Sequence, residues 1–131
     1  MRLLGIDYGD KKIGLAFGDD TARVAVPLDV IKNDGPATLQ ALQNRLAAER
    51  IDQVVIGVPL QTNQQHSPEQ LEKTRAFIQN LRDLTNLPIF EEDESFTTAE
   101  SLRLQREEGA EAEDDALAAM LILQAYMDRQ N

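Results

Sequence analysis

A chain of 131 residues, 42% of them hydrophobic, is the size of one ordinary domain and can bury a core without covalent staples. The absence of cysteine excludes a disulfide framework and a thiolate metal site, and it suits a reducing compartment. A formal net charge of -10 excludes adhesion to nucleic acid through bulk positive charge. Thirteen Lys and Arg remain for a local patch, and carboxylates that hold a metal are neutralised where they work.

In chain order, residues 2–7 and 13–18 are apolar runs separated by Tyr8-Gly9-Asp10-Lys11-Lys12, the pattern of a hairpin with a polar turn. The opening Met1-Arg2-Leu3-Leu4-Gly5 leads into the first strand with no long apolar stretch, so the expected location is cytoplasmic. A third strand runs from Val24 to Ile31, and Pro27, which cannot donate to a ladder, assigns it to a sheet edge. From Pro36 the period becomes helical through Leu39, Leu42 and Leu46, with Asp34 as the expected cap. Val54 to Val58 is apolar without alternation, as in a strand covered on both faces. Pro59 ends it, and the polar segment Gln61 to His66 forms a loop at its carboxyl end, where open α/β sheets bind ligands.

Ser67-Pro68-Glu69-Gln70 reads as a capping box, and Leu71, Thr74, Phe77, Ile78, Leu81 and Leu84 continue one helical face. Leu87 to Phe90 is a short strand, after which Thr97-Thr98-Ala99-Glu100 caps a helix reaching about Arg106, with Gly109 as its stop. The segment from Asp114 to Asp128 is apolar nearly all round, which predicts a buried helix. The order βββαβαβαα implies a single α/β domain over residues 1–131, with a mixed sheet and helices on both faces.

Acidic residues stand where apolar runs begin or end. Asp7 closes the first strand ahead of Tyr8-Gly9, although a turn aspartate accounts for it equally well in isolation. Asp93 and Glu94 lie just beyond the Ile89-Phe90 strand, where two acids also favour the positive end of a following helix. Asp115 shares a helical face with Ala118, Ala119 and Ile122, so its carboxylate points at the protein; Glu113 and Asp114 suit the first turn of the helix. Together, one acid from the first strand, one from a later strand and one from the last helix can converge at one end of the sheet. Clustered carboxylates repel unless a cation joins them. That pattern suits two Mg²⁺ or Mn²⁺ ions roughly 3.5–4 Å apart, activating a water and steadying the leaving oxygen in phosphodiester hydrolysis.

Four motifs in order carry a family likeness: Gly5-Ile6-Asp7-Tyr8-Gly9 with Ile13-Gly14-Leu15-Ala16; Val55-Ile56-Gly57-Val58-Pro59-Leu60; Asp93-Glu94-Ser95-Phe96-Thr97-Thr98-Ala99-Glu100; and Asp115-Ala116-Leu117-Ala118-Ala119 with Leu121-Ile122-Leu123-Gln124. Over residues 3–127 the chain resembles the YqgF family, also called RuvX. These are Holliday-junction-resolvase-like bacterial proteins assigned as nucleases that mature the 5′ end of small-subunit ribosomal RNA. The resemblance implies an RNase H-like fold with a five-stranded sheet of order 3-2-1-4-5 and a metal-dependent nuclease site. The family's acidic positions fall on Asp7, on the Asp93-Glu94 pair with Asp93 favoured, and on Asp115. The chain departs from the family in carrying Ser95 where an arginine is common, Gln61-Thr62-Asn63-Gln64-Gln65 where a glycine-containing loop is common, and Asp114 where an apolar residue is usual. The first two departures weaken the phosphate-binding side.

Lys11, Lys12, Arg103 and Arg106 are the candidates to hold a nucleic-acid backbone, though each alone also fits a solvated face. Thr97 is accounted for by capping, a phosphate contact by Thr98 is a minor role, His66 reads as a surface histidine, and Tyr8 suits either base stacking or hairpin packing. The leading expectation is a monomeric endonuclease on structured RNA, with Asp7, Asp93 and Asp115 catalytic. A four-way DNA junction resolvase is the alternative, and paired cutting would require a symmetric dimer. A module that binds RNA without cutting is a third reading. An actin-like or sugar-kinase ATPase is a fourth, but it needs two lobes, and the length supplies one.

Overall fold

The computed structural model describes residues 1–60, 68–93 and 112–130, the side chains of 112–114 excepted. The Gln61–His66 loop, the Ser67 cap, Glu94, Ser95, the Thr97 helix with Thr98, Arg103 and Arg106, and Gly109 lie outside the described residues.

Five strands, β1 (Arg2–Tyr8), β2 (Lys12–Asp19), β3 (Val24–Lys32), β4 (Gln53–Val58) and β5 (Ile89–Asp93), form one sheet of order β3-β2-β1-β4-β5. β1, β2 and β3 make an antiparallel meander, and β4 and β5 add to β1 in parallel. This is the mixed sheet that the sequence implies. β3 is an edge strand, as Pro27 requires, and the ladder shifts there: Leu15 pairs with Asp29 but Ala16 pairs with Pro27, leaving Leu28 over in a bulge.

Helix α1 (Pro36–Ala48) and helix α2 (Pro68–Leu84) cover one face, and helix α3 (Ala112–Arg129) covers the other. Leu42 and Leu46 of α1 and Phe77, Ile78 and Leu81 of α2 pack on Leu4, Ile6, Ile13, Leu15, Val54, Ile56 and Val58. On the opposite face, Ala119, Ile122, Leu123 and Met127 of α3 pack on Leu3, Ala16, Ala25 and Val55. Strand side chains alternate between faces, so each strand feeds both cores. Among the described residues no helix is long and apolar enough to cross a membrane.

Two local expectations are corrected. The cap of α1 is Gly35, not Asp34: Gly35 has φ 66, a conformation that favours glycine, and its carbonyl accepts from the N–H groups of Thr38 and Leu39. Asp34 contributes its backbone N–H to Thr38 Oγ1 at 2.5 Å, and that hydroxyl donates to the Lys32 carbonyl at 2.8 Å, tying the helix start to β3. Secondly, the fifth strand does not stop at Phe90 but runs through Glu91 and Glu92 to Asp93. Charged residues extend it because Glu91 meets Arg75 and Arg82 of α2 while Glu92 meets Arg129 of α3.

Candidate active site at the carboxyl end of the central strand

Which face each acidic side chain takes follows from the register. Leu4 and Ile6 of β1 belong to the core under α1 and α2, and Leu3 belongs to the core under α3. The two-residue period therefore directs Asp7 toward α3. Its cross-strand partner is Gly14. A Cβ on Gly14 would lie 1.9 Å from the backbone carbonyl oxygen of Asp115 and 2.4 Å from its carbonyl carbon, so the start of α3 rests on bare strand backbone at this point. Gly5 repeats the arrangement further along, where a Cβ would lie 2.8 Å from Leu123 Cβ and 2.9 Å from the Ala119 carbonyl oxygen. Asp115 thus stands over the strand partner of Asp7, and both aspartates are 0% exposed. The face shared with Ala118, Ala119 and Ile122 is buried, as the helical spacing implies.

β5 supplies the third region. Gly57 pairs with Glu92 and Val58 with Asp93. Phe90 stacks on Tyr126 of α3 with ring centroids 5.7 Å apart, and Arg129 of α3 donates to Glu92, so the even-numbered row faces α3. Ile89 lies in the core under α2 and Glu91 bonds Arg75 at 3.1 Å, so the odd-numbered row, which includes Asp93, faces α2. The structure brings Asp7 and Asp115 together on one face at the carboxyl end of β1. It puts Asp93 at the same end of the sheet but in the row that turns toward the other face. Among the described residues, no group of three or more His, Cys, Asp or Glu side chains is gathered closely enough to hold a metal.

The residue that sequence reasoning passed over is Glu92. It is buried, level with Asp7 across β4, and paired with Arg129. Burial raises its carboxyl above the ordinary range, with Arg129 opposing the shift and Asp93 adding to it. The signal was available only once the strand was known to extend to Asp93, because alternation then separates Glu92 from its neighbours.

Lys11 and Lys12 are exposed at the β1–β2 turn. That turn is anchored: Asn33 donates its backbone N–H to the Lys11 carbonyl at 2.9 Å and its Nδ2 to the Gly9 carbonyl at 2.8 Å, and Lys73 of α2 reaches Asp10 at 3.5 Å. Tyr8 packs on Phe77 with ring centroids 4.6 Å apart, which accounts for it as core.

The donor chemistry fits a hard divalent cation, since Asp7 and Asp115 are two buried carboxylates on one face of the sheet and oxygen donors suit Mg²⁺ or Mn²⁺.

A sheet of order β3-β2-β1-β4-β5 with helices on both faces and an acidic residue at the end of its central strand defines an RNase H-like fold. A family model, RuvX, described as Holliday junction resolvase, matches residues 1–129, and the chain belongs to that family. Relatives carrying the name "Putative pre-16S rRNA nuclease" include one from Ruminiclostridium cellulolyticum, 35% identical over 98% of this chain and 95% of its own length. Another, from Anaplasma marginale, is 37% identical over 97% of this chain and 84% of its own length. Among solved structures, T. thermophilus RuvC in complex with Holliday junction substrate matches with a TM-score of 0.60 and 18% identity, covering 97% of this chain and 94% of that one. The fowlpox virus resolvase bound to Holliday junction DNA matches with a TM-score of 0.59 and 16% identity over 98% of this chain and 97% of that one. At those identities the likeness is one of fold.

Proposed function

We propose that this chain is a cytoplasmic, divalent-metal-dependent endonuclease that hydrolyses phosphodiester bonds in structured RNA, with the 5′ precursor of small-subunit ribosomal RNA as its substrate. The observation that carries the reading is the joint burial of Asp7 and Asp115 against the bare backbone of Gly14. The pre-16S rRNA nuclease name borne by relatives over nearly their full lengths supports the choice of substrate.

Asp7 and Asp115 hold the cation, and a third carboxylate comes from the Asp93-Glu94 pair. Asp93 has the parity of the α2 face, which supports Glu94 in that role. Mg²⁺ or Mn²⁺ bound there supplies charge for activating water and for neutralising the leaving oxygen. The chain's own part is to hold the carboxylates in a dry, fixed geometry before substrate arrives.

The test is cleavage of precursor RNA in Mg²⁺. Asp7→Asn is expected to slow cleavage on the order of 10²–10³-fold or more without lowering the melting temperature; an unchanged rate overturns the assignment. In the same assay Glu94→Gln is expected to lose activity and Asp93→Asn to keep most of it. Mn²⁺ should raise the melting temperature of the wild type by mass action and leave Asp7→Asn unmoved, which separates a nuclease from a module that binds without cutting.

The description of the family model favours one second reading, resolution of four-way DNA junctions. Paired cuts on a junction require a two-fold dimer. A monomer in solution that cuts precursor RNA and leaves junction DNA intact supports the RNA reading, and a dimer with the reverse preference replaces it.

A further inference from the structure

Lys12, the first residue of β2, and Lys32, the last residue of β3, are direct cross-strand partners. Like charges placed opposite each other on adjacent strands destabilise a sheet. Both lysines are exposed, and two carboxylates of the neighbouring segments are engaged elsewhere, Asp10 with Lys73 and Asp29 with Arg45. Their backbone is fixed rather than free to splay. The Lys32 carbonyl accepts from Thr38 Oγ1 at 2.8 Å, and Asn33 bonds across the hairpin to both Lys11 and Gly9.

The pair also has a definite face. Lys12 precedes Gly14 by two residues on β2, so it takes the face of Gly14, Asp7 and Asp115, about 7 Å further along the strand. Lys32, as its strand partner, stands on that face too. Lysines commonly guard an exposed sheet edge against strand addition, and Lys32 on β3 could serve that purpose alone. Lys12 is on β2, inside the sheet, where no edge needs guarding. Among the described residues neither ammonium group has an ion-pair partner, and with two buried carboxylates on the same face they form a polarised end of the sheet that an extended polyanion can bridge.

We infer that Lys12 and Lys32 clamp one phosphodiester group of the nucleic-acid backbone next to the group cut at Asp7 and Asp115. The identity of the ligand rests on the nuclease reading, and the mutual repulsion of the lysines is relieved when the phosphate enters. Lys32 is thereby a phosphate-binding residue, recognisable only from the register.

The experiment measures binding of a fluorescently labelled 5′-precursor RNA to Asp7→Asn protein over a salt series, so that cleavage does not intervene. Neutralising one backbone phosphate contributes a slope of roughly 0.7–0.9 in log K against log salt. Lys12→Gln/Lys32→Gln is expected to flatten the slope by about that amount, with each single substitution giving less. An unchanged slope in the double variant overturns the clamp and leaves Lys32 as an edge guard, whatever the cleavage assays show. A flattened slope in a protein whose wild-type form fails to cut RNA upholds the clamp while removing the nuclease reading. Both side chains are exposed, so the variants are expected to fold, and circular dichroism matching the parent confirms that the slopes compare like with like.

Discussion

Under α1 and α2 the two central antiparallel strands present Leu4, Ile6, Ile13 and Leu15, whereas under α3 the same strands present Leu3 at one end and otherwise Gly5, Asp7, Gly14, Ala16 and Gly18. Large aliphatic side chains hold a helix off the sheet and can repack around a change in shape. Glycine and alanine let α3 approach until its backbone meets strand backbone. The first face is a store of buried area. The second fixes the position of Asp115 relative to Asp7, with no flexible side chain between them to absorb an error.

The difference is open to attack from both sides. Gly14→Ala is the most damaging probe, because the new methyl would lie 1.9 Å from the Asp115 carbonyl oxygen and backbone must move to admit it. A loss of roughly 3 kcal/mol or more in stability is expected, at the upper end of overpacking costs, along with loss of cleavage even in the fraction that folds. Denaturant unfolding and precursor cleavage per folded molecule measure the two. Leu15→Ala on the other face should cost about 2–5 kcal/mol through its cavity, yet cleavage per folded molecule should stay near wild type. If the two variants lose activity in proportion to stability alone, the two faces are equivalent and the contrast fails.

A smaller effect concerns pH. Burial raises the Glu92 carboxyl in the folded protein, so between its unfolded and folded titrations the folded state holds a proton that the unfolded state has released. Stability from this group is therefore fully present below the unfolded value and is lost as pH rises through the folded value. Glu92→Gln should remove that dependence: relative to wild type its melting temperature should climb as pH goes from mildly acidic to neutral. A constant difference across that range would mean that Arg129 cancels the burial.

Much of the architecture was legible in the sequence because each element carries its own local signal. Apolar runs bounded by turn residues marked the strands, the 3.6-residue period marked α1 and α2, an almost wholly apolar segment marked α3, and Pro27 marked the edge. Failures came where the deciding partner is remote in the chain. The acidic end of β5 reads as loop until Arg75, Arg82 and Arg129 are brought beside it. Asp34 is a better cap than glycine by propensity, but Thr38 takes its backbone N–H and only Gly35 tolerates the turn. At the candidate site, burial of Asp7 and Asp115 on a shared face follows from strand ending and helical spacing, both local. Which way Asp93 points, and that Lys32 stands opposite Lys12, depend on register, where a shift of one residue reverses every side chain.

Asp7 and Asp115, which stand at Gly14 from strand and helix, are separated by more than a hundred residues of chain. During synthesis, at roughly 5–20 residues per second, the ribosome exposes the first of them on the order of 5 to 20 seconds before it has made the second. The last helix brings Asp115 over the strand partner of Asp7, so any joint action of the two carboxylates begins only when that helix has docked.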